Sequence, residues 1–179
     1  ASLDLQRRQD ILPFIERIRE EIGITIIYVT HSIEEVIYLA DQVILLSEGK
    51  VAAQGSVEEV MNRIDLHPLT GRFDAGSVIS ARYLNYDREF DLGELAFSGG
   101  TFYVSGFQTT PGTALRAHIR ARDVSLMLSR PEKTSVLNVF FGRIVEACEE
   151  DGPQLDLLID IGGISLAARV TRKSYHDLG

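Results

Sequence analysis

The hydrophobic period of the chain changes near residue 66, and that change limits the fold more than any other feature. Before it, Ile11, Ile15, Ile18 and Ile22 recur at helical spacing and predict one apolar helix face. After it, from Ser77 onward, the apolar runs have strand length and are separated by glycine-bearing turns. One layer cannot serve both periods. The chain therefore reads as an α/β part, residues 1–66, a linker, residues 67–76, and an all-β part, residues 77–179.

Within the first part, Pro13 predicts a helix that kinks there or is better formed beyond it. Gly23 is placed to close that helix. "ITIIYV", residues 24–29, is a continuous β-branched run and predicts a buried parallel strand. His31 then falls at the carboxyl end of that strand, where open α/β sheets bind ligands. Ser32 with Glu35 forms a capping box for a second helix, whose buried stripe is Ile33, Val36, Ile37 and Ala40. Glu34 and Glu35 are adjacent, diverge by about 100° on a helix, and are read as capping and solvated groups rather than a catalytic pair. "QVILLSEGKVAAQG" predicts a hairpin, and Ser56 with Glu59 predicts a last helix running through Val60 and Ile64. "DLHPLTGRFDAG" has a proline, two glycines and little periodicity, as a linker does.

The second part predicts a small barrel or sandwich. Its runs are "VISARYL", "FDLGELAF", "GTFYVSGF", "ALRAHIRA", "VSLML", "SVLNVFFGRIVEA", "QLDLLIDI" and "SLAARVT". Residues 77–106 and 135–170 echo one another: an opening strand, an acidic turn, a strand with Asp-Leu, a double-glycine turn and a closing strand. Two related β units are expected, the second starting at about residue 134.

The net charge of −8 argues against a nucleic-acid partner but leaves room for a local anion pocket. A single cysteine, Cys148, permits no internal disulfide and reads as a small core residue. No apolar run reaches the roughly 18 residues of a membrane span, and no signal peptide is visible. The chain is thus expected to be soluble and cytoplasmic. Both ends, "ASLDLQRR" and "SYHDLG", read as cut.

The ordered segments of the first part resemble the nucleotide-binding subunits of ATP-binding-cassette importers. "ASLD" resembles their D-loop, "IIYVTHSIEEV" their switch-histidine segment, and "ADQVILLSEGKVAAQGSVEEV" the close of their ATPase domain. "IRARDVSLMLSRPEKTSVLNVFFGRIV" and "IDIGGISLAARVTRKS" resemble the molybdate-importing members, whose carboxy-terminal β domain is akin to small molybdate-binding proteins. The resemblance implies the end of an ATPase domain of P-loop NTPase fold, followed by an OB-like barrel of the TOBE (Mop) type. No Walker A loop, "LSGGQ" signature or Walker B acidic pair occurs in the sequence, and "SGG" at 98–100 lies between strands. The chain alone is expected not to hydrolyse ATP.

By that resemblance His31 is the switch histidine, hydrogen-bonding the γ-phosphate and orienting the attacking water. Ser2 and Asp4 are D-loop residues at the nucleotide and dimer interface, although Asp4 also suits a helix cap. The oxyanion pocket of the family corresponds to Ser135, Asn138, Lys173 and Ser174, with Thr134 and Thr171 nearby. Leu137 replaces the arginine common in relatives, leaving Arg169 or Arg172 to compensate. No metal site of the chain's own is expected. The implied cofactors are ATP and Mg²⁺ in the full-length protein, with molybdate as a regulatory ligand. The implied partners are a second ATPase subunit, membrane permease subunits and, indirectly, a periplasmic or extracellular molybdate-binding protein. The implied place is the cytoplasmic face of the membrane. Two other readings stand beside this one: a non-enzymatic oxyanion-binding or dimerisation module, and the same motor serving sulfate, sugar or polyamine.

Overall fold

A computed structural model describes residues 5–71, 74–148 and 152–179, with the side chains of residues 5–9 outside the description. The chain divides into two compact units, Ala1–Val57 and Glu58–Gly179.

The first unit opens with α1 (Leu5–Ile22), one helix that runs through Pro13. Gly23 ends it at φ 67°, its N–H donating to the Arg19 carbonyl at 3.0 Å, as a helix-closing glycine should. Arg19 also ties α1 to the chain beyond α2 (Ile33–Leu39), through Asp41 at 3.1 Å and the Leu39 carbonyl at 3.2 Å. A tight hairpin follows, β1 (Gln42–Ser47) with β2 (Lys50–Ser56). Its two turn residues, Glu48 and Gly49, both have positive φ, 50° and 74°, the pairing that a right-twisted two-residue turn demands.

Two expectations fail in this unit. Residues 24–29 form no strand, and Ile27 and Val29 are 90% and 91% exposed. On the predicted helix face, Ile11, Ile18 and Ile22 are exposed, whereas Leu12 is buried. A parallel strand needs hydrogen-bonding neighbours, and every strand pairing among the described residues is antiparallel and made elsewhere. A parallel P-loop sheet is therefore not evident among the described residues.

The second unit is mostly β. The helix predicted through Ile64 stops early, as α3 (Val57–Met61), and a 3₁₀ turn, Ile64–Leu66, follows. Inside the stretch read as linker, α4 (His67–Thr70) begins with Pro68 in its first turn and buries His67. Four antiparallel strands come next: β3 (Gly76–Asp87), β4 (Leu92–Phe97), β5 (Gly100–Ser105) and β6 (Ala114–Arg120), in sheet order β5-β4-β3-β6. A second sheet, β7-β8-β9, is built from Arg143–Cys148, Gln154–Asp160 and Ser165–Thr171, and α5 (Arg172–Leu178) ends the chain. "VSLML" and residues 135–142 are irregular rather than strands.

The second unit holds two three-stranded meanders, β3-β4-β5 and β7-β8-β9, each with a double-glycine turn. The two turns touch. A methyl group on Gly99 would lie 2.1 Å from the Ile161 carbonyl oxygen, and one on Gly162 would lie 3.2 Å from the Gly99 Cα. Ile79 of β3 joins Ile159, Ile161, Leu166 and Ala168 in a shared core. The Ser77 hydroxyl accepts the Ala167 N–H at 2.8 Å, a direct stitch between β3 and β9. Cys148 is half-buried against Ile64, Ala121 and Ala167, in line with a packing role.

Candidate functional site

The bend that carries His31 is built by its neighbours. Ser32 caps α2 from an extended backbone, φ −93° and ψ 116°, its hydroxyl accepting the Glu35 N–H at 3.4 Å. A capping box would return the Glu35 carboxylate to the Ser32 N–H. Here Thr30 stands between them. Its hydroxyl accepts the Ser32 N–H at 3.0 Å and donates to the Glu35 carboxylate. Tyr28 donates a further hydroxyl to Glu35 at 3.2 Å. Glu35 is consequently 7% exposed, which corrects its reading as a solvated cap; Glu34 is exposed as expected. His31 lies outside the hydrogen-bonded ring and is exposed. Ser2 and Asp4, the D-loop candidates, fall outside the described residues.

The oxyanion candidates belong to the second unit, and each has another engagement or lies in the open. Asn138 accepts the Tyr103 N–H at 2.8 Å and donates to the Tyr103 carbonyl at 2.9 Å. Lys173 pairs with Asp177 at 2.9 Å, four residues on, with its side chain 84% exposed. The Ser174 N–H donates to the Thr171 hydroxyl at 2.9 Å, which caps α5. Ser135 is exposed. A cavity of about 1000 Å³ is lined by Asn138 together with Phe102, Phe140, Ile144 and Tyr175, whereas Ser135, Lys173 and Ser174 are not among its lining residues.

Sequence reasoning missed the buried ion cluster of this unit. Asp156 on β8 accepts Arg169 from β9 through both oxygens, each at 2.6 Å, and the His67 Nδ1 lies 2.6 Å from it. His67 and Asp156 are 1% and 6% exposed. Burial works to raise the Asp156 pKa; the Arg169 hydrogen bonds, and then His67, override it and hold the carboxyl at about 2. Of the two arginines offered as substitutes for the cation lost at Leu137, Arg169 has its guanidinium committed to Asp156. The signal available in the sequence was an aspartate and an arginine at facing strand positions, and the register does pair Asp156 with Arg169.

Among the described residues, no helix is long and apolar enough to cross a membrane. The TOBE domain family matches residues 134–179. Over its whole length the chain is 41% identical to a molybdenum import ATP-binding protein ModC of Aromatoleum aromaticum, covering 47% of that protein. It is 42% identical to ModC 1 of Azotobacter vinelandii, covering all of this chain and 50% of that protein. With ModC of Mesorhizobium japonicum it shares 40% identity over 99% of the chain and 48% of that protein. The chain spans about half the length of the curated relatives it matches. From end to end the chain is thus similar to about half of a molybdenum import ATP-binding protein, and its residues 134–179 match the TOBE domain family.

Proposed function

We propose that the chain is the carboxy-terminal part of the ATP-hydrolysing subunit of a molybdate importer, with tungstate as an equivalent cargo. Similarity along the whole chain to proteins named for molybdenum import carries this reading. In it, His31 is the residue that hydrogen-bonds the γ-phosphate and orients the attacking water. Ser2 and Asp4 lie in the loop that meets the second ATPase subunit. Nucleotide and Mg²⁺ are held by a phosphate cradle that this sequence does not contain. The full protein works as a homodimer against membrane permease subunits, at the cytoplasmic face, receiving substrate from an external binding protein. The β unit binds the imported oxyanion at Ser135, Asn138, Lys173 and Ser174 and slows hydrolysis, a coupling between two sites.

One observation favours a second reading of the β unit alone. Asn138 and Arg169 are already bonded to Tyr103 and Asp156, so this unit also suits a structural or dimerising role without oxyanion. Calorimetric titration of molybdate into the full-length protein, with sulfate as control and ATPase rate followed in parallel, separates the two. Selective binding that slows hydrolysis, lost in Lys173→Ala/Ser174→Ala, supports the sensor. Hydrolysis without oxyanion binding leaves the motor and makes the β unit structural.

A further inference from the structure

We infer that Glu35, acting through Thr30, is the positioning residue that fixes the backbone of the His31 bend; the inference rests on the reading of His31 as the γ-phosphate histidine. The hydrogen bonds form a closed circuit around one residue. The Glu35 N–H donates to Ser32, the Ser32 N–H donates to Thr30, and the Thr30 hydroxyl donates back to Glu35. Tyr28 anchors the same carboxylate from the incoming segment at 3.2 Å. The Val36 N–H fixes the Ser32 carbonyl at 3.1 Å, so the residue after His31 is held from both sides of its peptide.

The chemistry of the circuit identifies its purpose. A threonine hydroxyl has one proton and two lone pairs. Thr30 gives its proton to Glu35 and accepts from Ser32, so its rotamer is set by two partners. A carboxylate nine-tenths removed from water is costly unless donors satisfy it, and a glutamate serving only as a helix cap would stay in solvent. The buried carboxylate thus trades hydration for two fixed hydroxyls. His31, inside the ring by sequence but outside it by bonding, keeps its imidazole exposed while its backbone is fixed. A group that must reach a phosphate within about 3 Å gains from such support.

The distinguishing variants are Thr30→Val, which keeps the shape and deletes the hydroxyl, Thr30→Ser, which restores it, and Glu35→Ala. They are to be compared with wild type and His31→Ala in the full-length protein, by steady-state ATPase and by ATP binding. Thr30→Val and Glu35→Ala should each lower kcat about 10- to 100-fold with KM within about two-fold, as loss of preorganised geometry does. Thr30→Ser should stay within about three-fold of wild type. The double variant should be no slower than the worse single one, since both break one circuit. An inactive His31→Ala beside a fully active Thr30→Val and Glu35→Ala overturns the positioning role alone. A fully active His31→Ala overturns the reading of the histidine and this inference with it. Should Thr30→Val or Glu35→Ala fail to fold, Tyr28→Phe removes one donor from an exposed tyrosine; a two- to five-fold fall in kcat at unchanged KM supports the role, and wild-type kcat overturns it.

Discussion

The side-chain amide of Asn138 pairs with the backbone of Tyr103 in both directions, 2.8 Å from the Tyr103 N–H and 2.9 Å to its carbonyl. One side chain thus does what a neighbouring strand would do at that position of β5. Asn62 makes the same clamp on Val78 of β3, accepting its N–H at 2.7 Å and donating to its carbonyl at 3.1 Å. At Val78 of β3 and at Tyr103 of β5 the clamp is an asparagine, the residue whose amide copies a peptide's donor and acceptor.

Asn138→Ala is therefore expected to cost about 1–2 kcal/mol in urea denaturation, the loss of two partly solvated hydrogen bonds. Asn138→Asp keeps the acceptor for the Tyr103 N–H but sets a carboxylate oxygen against the Tyr103 carbonyl, so it should be no more stable than Asn138→Ala. If Asn138 contributed only to ligand binding, both variants would unfold with the wild-type midpoint.

Asp156 makes the second unit sensitive to acid. Its folded pKa is depressed to about 2 from the ordinary 3.8, so its stabilisation is fully present above about pH 4 and is lost as pH falls toward 2. That window is worth about 2–3 kcal/mol, at 1.36 kcal/mol per unit. Asp156→Ala should cost about 3–5 kcal/mol at neutral pH, because Arg169 and His67 are left buried together. Thermal melts from pH 7 to pH 2 should show Asp156→Asn with a flatter profile below pH 4 than wild type. Parallel profiles would remove the carboxylate from the account.

Contact between the two double-glycine turns predicts a contrast between glycines. At Gly99 a methyl group meets the Ile161 carbonyl at 2.1 Å and the Phe97 ring at 2.5 Å, so Gly99→Ala should destabilise by about 3 kcal/mol or more, a larger loss than at Gly112. Gly112 has a positive φ of 91° but nothing within 4 Å, so Gly112→Ala should cost only the backbone strain, about 1–2 kcal/mol. Equal losses in chemical denaturation would mean that the turns do not restrain one another.

What was legible in the sequence was mostly local. The helix ending at Gly23, the Ser32 cap, the Glu48–Gly49 turn and the double-glycine turns all follow from chain chemistry within a few residues. What failed depended on distant partners. The apolar run 24–29 is a strand signal that no described strand pairs with, and "VSLML" has strand composition without a strand's hydrogen bonds. The candidate site divides in the same way. His31 was marked by its place after an apolar run and before a cap. The burial of Glu35 depends on Tyr28 and Thr30 folding back upon it, and the union of His67 with Asp156 spans 89 residues. Spacing rules do not register either one.

The exposed run also separates the proposed motor domain from a chain that stands as it is. Ile27 and Val29 touch little here, so Ile27→Ala and Val29→Ala in the 179-residue chain should each change stability by less than about 0.5 kcal/mol. Leu157, fully buried in β8, should lose about 2–5 kcal/mol on the same truncation. In the full-length protein the proposal gives "ITIIYV" strand neighbours on both edges, as so apolar a segment requires. Ile27→Ala should then behave like Leu157→Ala, costing about 2–5 kcal/mol. The comparison needs only the two lengths of protein and denaturant melts. A near-zero effect of Ile27→Ala in both would deny that the segment is ever buried, and with it the ATPase sheet that His31 is proposed to serve.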